Sequence, residues 1–167
     1  MIAQPGHIIR ILSLAITMLA LAACGSNPPA PASEAASQPV STSPRTTTGQ
    51  RAAAIALDQV GVPYRYGGTT PGGFDCSGLV QYSYKRAGVA VPRTTGQLWS
   101  AMSPVGRHEL RAGDLLFFKI EGKMSHVGLY LGEQRFVHAP QSGRKVSVES
   151  LSSPFYKAAF IRAGRPY

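Results

Sequence analysis

The sequence predicts an α+β domain, with helices in its first half packed on an antiparallel sheet built by its second half. Three observations predict it. Apolar residues recur at helical spacing between Gln50 and Ala101. Beyond Asp114 the chain reads as five short strands. The turns between those strands are short and carry Gly122, Gly132 and Gly143, which favours antiparallel pairing.

The first 48 residues stand apart from that domain. Ile11 to Ala23 is an apolar run preceded by His7 and Arg10, too short to span a bilayer that needs ~20 apolar residues. It ends in Leu21-Ala22-Ala23-Cys24-Gly25, small residues at a cleavage point followed by a cysteine. Residues 1–23 are therefore expected to be a secretory signal ending in a lipobox, with Cys24 the lipidated first residue of the mature chain. Residues 24–48 form a tether of Pro, Ala, Ser and Thr, unable to bury enough apolar surface to order itself. The 24 residues after Cys24 reach roughly 25 to 75 Å between coil and polyproline limits. Residues 49–167 form the working domain.

Within that domain Gln50–Val60 has an apolar stripe of Ala53, Ile55, Ala56, Leu57 and Val60, and Gly61 with Pro63 ends the helix. Residues 61–75 are glycine-rich and irregular. A second helix starts at Asp75-Cys76, with Asp75 as N-cap and Gly88 as C′. Leu79, Val80, Tyr84 and Ala87 share its apolar face. A third helix spans Thr95–Ala101, with Thr94 and Gln97 at capping-box spacing. The strands follow at Asp114–Phe118, His126–Leu131, Arg135–Ala139, Lys145–Glu149 and Phe155–Ile161.

Composition narrows the function. At 44% hydrophobic the chain can bury a core. Two cysteines exclude a disulfide-rich fold and every all-cysteine zinc site. The net charge is +9, and residues 49–167 keep +8 of it, so the excess belongs to the domain. A polyanionic partner is expected. The bases are scattered rather than clustered, and the export signal argues against nucleic acid.

With Cys24 carrying lipid, Cys76 has no disulfide partner within the chain. It opens a helix directly after a glycine-rich loop, where free N–H groups and the helix dipole favour a thiolate and can hold an oxyanion. The bland alternative is a buried, inert cysteine. A nucleophile needs a base. His108 sits in a turn-like stretch and reads as surface. His126 alternates with core-facing Val127, Leu129 and Leu131, and shares its own face with Gly128 and Tyr130. Gly128 leaves room there for something to approach. A three-residue loop at Gly132-Glu133-Gln134 sets Tyr130 opposite Phe136 and Gly128 opposite His138. His126 and His138 then become diagonal neighbours on one face, and a slip of one residue would separate them. No metal-ligand motif surrounds the two histidines, so no metal and no cofactor are expected.

These residues resemble the NlpC-type cell-wall cysteine peptidases, a papain-like bacterial family. The resemblance rests on Pro63-Tyr64-Arg65-Tyr66-Gly67-Gly68, Phe74-Asp75-Cys76-Ser77-Gly78-Leu79-Val80, Pro92-Arg93-Thr94, Ala112-Gly113-Asp114-Leu115-Leu116-Phe117-Phe118, His126-Val127-Gly128-Leu129-Tyr130-Leu131-Gly132 and Phe136-Val137-His138-Ala139. It runs in order through residues 50–163. It implies a papain-like fold with Cys76 as nucleophile, His126 as general base and acid, and His138 as the residue orienting His126. It also implies that Tyr64 serves the oxyanion hole or substrate, and that Asp75 and Ser77 contact a substrate amine. Arg93 and Asp114 match family positions too, where packing or turn roles suffice.

The layout of lipobox, tether and single domain is similar to small murein endopeptidase lipoproteins of the Gram-negative outer membrane. The expected function is hydrolysis of peptidoglycan stem peptides or cross-links, at D-Ala–diaminopimelate or γ-D-Glu–diaminopimelate bonds. The expected setting is the cell envelope, with a monomeric catalytic domain lipid-anchored at the outer membrane and facing the periplasm. The rival readings are a papain-like amidase or acyltransferase on another substrate, and a non-catalytic wall-binding lipoprotein.

Overall fold

The computed structural model describes residues 46–166. The leader, Cys24 and the tether as far as residue 45 lie outside the described residues. Among the described residues no helix is long and apolar enough to cross a membrane.

The first helix, α1 (Thr48–Leu57), begins two residues before the predicted start. Thr47 caps it: its hydroxyl accepts from the Gln50 N–H at 3.2 Å, and the Gln50 side-chain oxygen accepts from the Thr47 N–H at 2.8 Å. Its buried face is Ala52, Ala53 and Ala56, small side chains that let α1 lie close against α2. Leu57, the last residue of α1, and Val60, beyond its end, are predicted in the stripe but are exposed.

The glycine-rich segment holds a small hairpin missed by the sequence reading, β1 (Thr69–Thr70) with β2 (Gly73–Phe74), turning at Pro71-Gly72. Helix α2 (Cys76–Arg86) follows, ending at Gly88, whose φ of +92° suits glycine at C′. Helix α3 (Thr95–Ala101) has the predicted bounds and the predicted capping box.

The sheet has six antiparallel strands: β3 (Ser103–Val105), β4 (Leu115–Ile120), β5 (Lys123–Gly132), β6 (Arg135–His138), β7 (Ser147–Ser150) and β8 (Phe160–Arg165). Their order is β3-β8-β4-β5-β6-β7, so a meander from β4 to β7 carries the last strand inserted on its near side. Strand β3 contains Pro104 and is tolerated because it lies at the sheet edge.

The predicted strand Phe155–Ile161 is corrected. Its first part is a helix, α4 (Pro154–Ala159), and β8 starts only at Phe160. Ser153 caps that helix and proline occupies its first position, a start signal visible in the sequence.

The β5–β6 turn also differs from expectation. Glu133 and Gln134 alone form it, both with positive φ, and a bulge between Tyr130 and Gly132 absorbs the extra residue. The bulge restores the expected register, with Tyr130 opposite Phe136 and Leu129 opposite Val137.

Both faces of the sheet are buried. Val127, Leu129, Val137 and Phe117 pack with Leu79, Val80, Tyr84 and Leu98 of the helices. Leu116, Phe118, Tyr130 and Phe136 form a second cluster with Leu151, against which Tyr156 of α4 packs. The space beside Gly128 is therefore already filled: a Cβ there would lie 2.7 Å from the Phe136 ring. Its role is close packing within the hairpin.

Candidate active site

The site is assembled where α2 begins beside β5 and β6. Asp75 sets the start of α2. One carboxylate oxygen accepts from the Gly78 N–H at 2.7 Å and from the Ser77 hydroxyl at 3.3 Å. The other accepts from the Gly67 N–H at 2.9 Å. Arg93 grips both oxygens from the segment before α3, at 3.0 and 2.6 Å. Burial acts to raise the Asp75 carboxyl, but hydrogen bonds from Arg93, Gly78 and Gly67 outweigh it and hold the group below the usual range.

Cys76 is then held at the first position of α2, partly exposed and free. Its Sγ lies 3.7 Å from the Thr95 hydroxyl and 3.9 Å from the Ser125 carbonyl oxygen. Burial pushes the thiol up. The Thr95 hydroxyl and the Val127 and Ser77 N–H groups act the other way, while the Asp75 charge adds to burial. The expectation that the helix start favours a thiolate is overridden in this resting geometry, because removal from water penalises the charged form more.

The histidines come from neighbouring strands. His126 Nε2 and His138 Nδ1 are 2.7 Å apart. Both rings are buried. Burial lowers His126 to about 4, and burial with the charges of His126 and Arg144 lowers His138 to about 3. The contact engages Nε2 of His126 and leaves Nδ1 free. On its far side, His138 Nε2 lies 3.4 Å from the Tyr156 hydroxyl.

Cys76, His126, His138, Tyr64 and Tyr156 line one cavity of about 590 Å³. Tyr64 reaches it because residues 61–64 run beside 144–146, with the Tyr64 N–H donating to the Arg144 carbonyl at 2.9 Å. Burial raises the Tyr64 phenol. Charged groups of both signs, Glu121, Lys123, Arg144 and Glu149, complete the walls. Asp75 and Ser77 are buried outside this lining, and their polar atoms are occupied by Arg93 and the start of α2. A substrate amine at Asp75 would have to compete with that guanidinium. His108 is exposed and away from the cavity lining, as its turn-like context predicts.

Residues 61–165 match the NlpC/P60 family. The chain belongs to the NlpC/P60 family. It is similar to the murein DD-endopeptidase MepH of Escherichia coli (strain K12), 38% identical over 126 residues, covering 70% of this chain and 46% of that protein. It is also similar to the bifunctional muramidase/DL-endopeptidase CwlT of Bacillus subtilis (strain 168), 40% identical over 66% of this chain and 34% of that protein. The chain thus spans less than half the length of either relative. Among solved structures, the NlpC/p60 domain of the peptidoglycan hydrolase SagA aligns with a TM-score of 0.62 and 35% identity, over 71% of this chain and 98% of that one. The papain-like α+β architecture expected from sequence is the architecture of this NlpC/P60 domain.

Sequence reasoning does not reach Tyr156 or Thr95, nor the charged walls Glu121, Lys123, Arg144 and Glu149. By sequence Tyr156 reads as part of the strand Phe155–Ile161, and only the Ser153-Pro154 helix start signals otherwise. By sequence Thr95 reads only as the first residue of a helix, because nothing local brings α3 to Cys76.

Proposed function

We propose that this protein is a thiol endopeptidase of the cell wall, hydrolysing amide bonds in peptidoglycan stem peptides or their cross-links. The observation that carries the reading is a single cavity lined by Cys76, His126, His138 and Tyr64 in an NlpC/P60 chain. The names of the similar proteins, DD- and DL-endopeptidases among them, favour a wall peptide as substrate.

In the proposed mechanism His126 accepts the Cys76 thiol proton at Nδ1. The sulfur then attacks the amide carbonyl carbon, and the carbonyl electron pair moves onto oxygen. N–H groups at the start of α2 and the Tyr64 hydroxyl hold that oxyanion. Collapse breaks the C–N bond as His126 returns its proton to the leaving amine. A thioester remains. Water, deprotonated by His126, adds to it and releases a carboxylic acid, and the sulfur takes the proton back. His138 holds the His126 ring throughout. Asp75 and Ser77 support this arrangement by locking the start of α2 to Arg93.

The bond is D-Ala–diaminopimelate or γ-D-Glu–diaminopimelate. The chain is delivered by its N-terminal signal, lipidated at Cys24 and tethered at the outer membrane facing the periplasm. Mass spectrometry of muropeptides digested by the mature chain tests the activity and names the bond. New free termini that are absent with Cys76→Ala support the reading, and digests unchanged by the wild type overturn it. Mass measurement of the mature N-terminus tests the lipid.

A further inference from the structure

Two hydroxyl residues in succession open α3, and only one is needed there. Thr94 is the N-cap: its Oγ1 faces the Gln97 N–H at 3.3 Å. The Thr95 hydroxyl takes no part in the cap. Among the described residues its one hydrogen-bond partner is the Cys76 sulfur, at 3.7 Å.

The placement is enforced by an ion pair. Asp75 immediately precedes Cys76, and Arg93 lies two residues before Thr95. The Arg93 fork on Asp75, with a further bond from Arg93 to the Ser77 hydroxyl at 2.9 Å, ties the start of α2 to the start of α3. One clamp therefore fixes both the sulfur and the hydroxyl.

The two polar neighbours of the sulfur differ in what they can do. The Ser125 carbonyl at 3.9 Å can only accept, so it suits the thiol. A threonine hydroxyl can rotate, accepting from S–H and donating to S⁻. Among the described residues the one side-chain hydrogen-bond contact of the Cys76 sulfur is the Thr95 hydroxyl, which can donate to a newly formed charge.

We propose that the Thr95 hydroxyl donates a hydrogen bond to the Cys76 thiolate and is a catalytic residue of this site. The proposal rests on Cys76 acting as the nucleophile. The other groups around the sulfur act in both directions: Asp75 opposes the thiolate, the Val127 and Ser77 N–H groups support it, and Tyr64 and Arg93 both feel its charge. None of them is removed by changing Thr95.

The test is substrate-free alkylation of the full chain by iodoacetamide between pH 5 and 10. Modification is followed at the Cys76 peptide by mass spectrometry, so that Cys24 does not contribute. Thr95→Val keeps the shape and deletes the hydroxyl, Thr95→Ser keeps the hydroxyl, and Thr94→Ala weakens the α3 cap alone. The expected result is slower Cys76 alkylation at pH 7 in Thr95→Val, by roughly 3- to 10-fold, with the inflection moved up in pH. Thr95→Ser and Thr94→Ala should stay within about 2-fold of wild type. An unmoved inflection in Thr95→Val overturns the proposal, as does an equal shift in Thr94→Ala or in Thr95→Ser. Because no wall substrate enters this assay, failure of the peptidase reading would show in the muropeptide digest instead.

Discussion

His126 Nε2 faces His138 Nδ1 at 2.7 Å, with the two rings nearly perpendicular at 81°. One proton fits between these nitrogens. If it sits on His126, then Nδ1 of His126 carries a lone pair for the Cys76 proton, and His138 must carry its own proton on Nε2. That proton points toward the Tyr156 hydroxyl, 3.4 Å away. The pair engages Nε2 of His126 and leaves Nδ1 for the proposed base role, and the walls of Phe118, Phe136 and Tyr156 hold the rings in place.

Alanine variants should separate the three residues kinetically. Cys76→Ala removes the proposed nucleophile and should lower kcat/KM on a stem-peptide substrate by ~10⁴-fold or more. His126→Ala should lose on the order of 10³-fold. His138→Ala should lose less, about 10- to 100-fold, because a neutral imidazole orients its partner with little added charge stabilisation. Equal losses at all three positions would contradict this order.

Acid should destabilise the fold through the histidine pair. A ring whose pKa is lowered by burial stays neutral while the unfolded chain takes up a proton. Between the ordinary value of 6.5 and about 4 the unfolded state binds protons that folded His126 refuses, and for His138 the window extends to about 3. Stability is therefore full above pH 6.5 and falls steadily as pH falls toward 4. Urea unfolding at pH 7.5, 6, 5 and 4 measures the slope. His138→Asn should flatten it, and an unchanged slope would rule the pair out as its source.

Breaking the Asp75–Arg93 clamp should cost stability before chemistry is considered. Arg93→Ala leaves a buried carboxylate with only its N–H and hydroxyl donors, and the partly exposed guanidinium tempers the loss to about 2 kcal/mol. The urea midpoint at pH 7 reads this directly. A loss below a few tenths of a kcal/mol would mean that water replaces the guanidinium at no cost.

Two glycines should resist a single methyl group for different reasons. A Cβ at Gly78 would meet the Gly68 carbonyl oxygen at 1.9 Å, a backbone clash with the loop before Cys76. A Cβ at Gly128 would meet the Phe136 ring at 2.7 Å, which a side chain can partly yield to. Gly78→Ala should therefore lower Tm more than Gly128→Ala, the latter costing about 1 to 3 kcal/mol. Thermal unfolding monitored by circular dichroism compares them.

Legibility followed the range of the interactions. Helix α3 was readable to the residue because its capping box closes within four positions. The β5–β6 register is readable because both histidine strands alternate strongly, although the expected loop is one residue too long and a bulge makes up the difference. The run Phe155–Ile161 misled because three aromatics and an isoleucine fit a strand by propensity, whereas the Ser153 cap and Pro154 set the backbone helical. The apolar stripe expected for α1 extends too far, onto Leu57 and Val60, which are exposed at and beyond the helix end.

By itself the sequence determined the inventory and the local geometry: a cysteine capped onto a helix start, two histidines on alternating strands, and a family signature spread across residues 50–163. Those features depend on neighbours a few positions away. Tertiary structure alone decided what surrounds them. It tied α2 to α3 through Asp75 and Arg93, brought Thr95 to the sulfur, set Tyr156 behind His138, and buried both rings enough to keep them neutral. Each depends on which distant segments exclude water from a charge. That cost arises only once the chain has closed, so no local pattern encodes it.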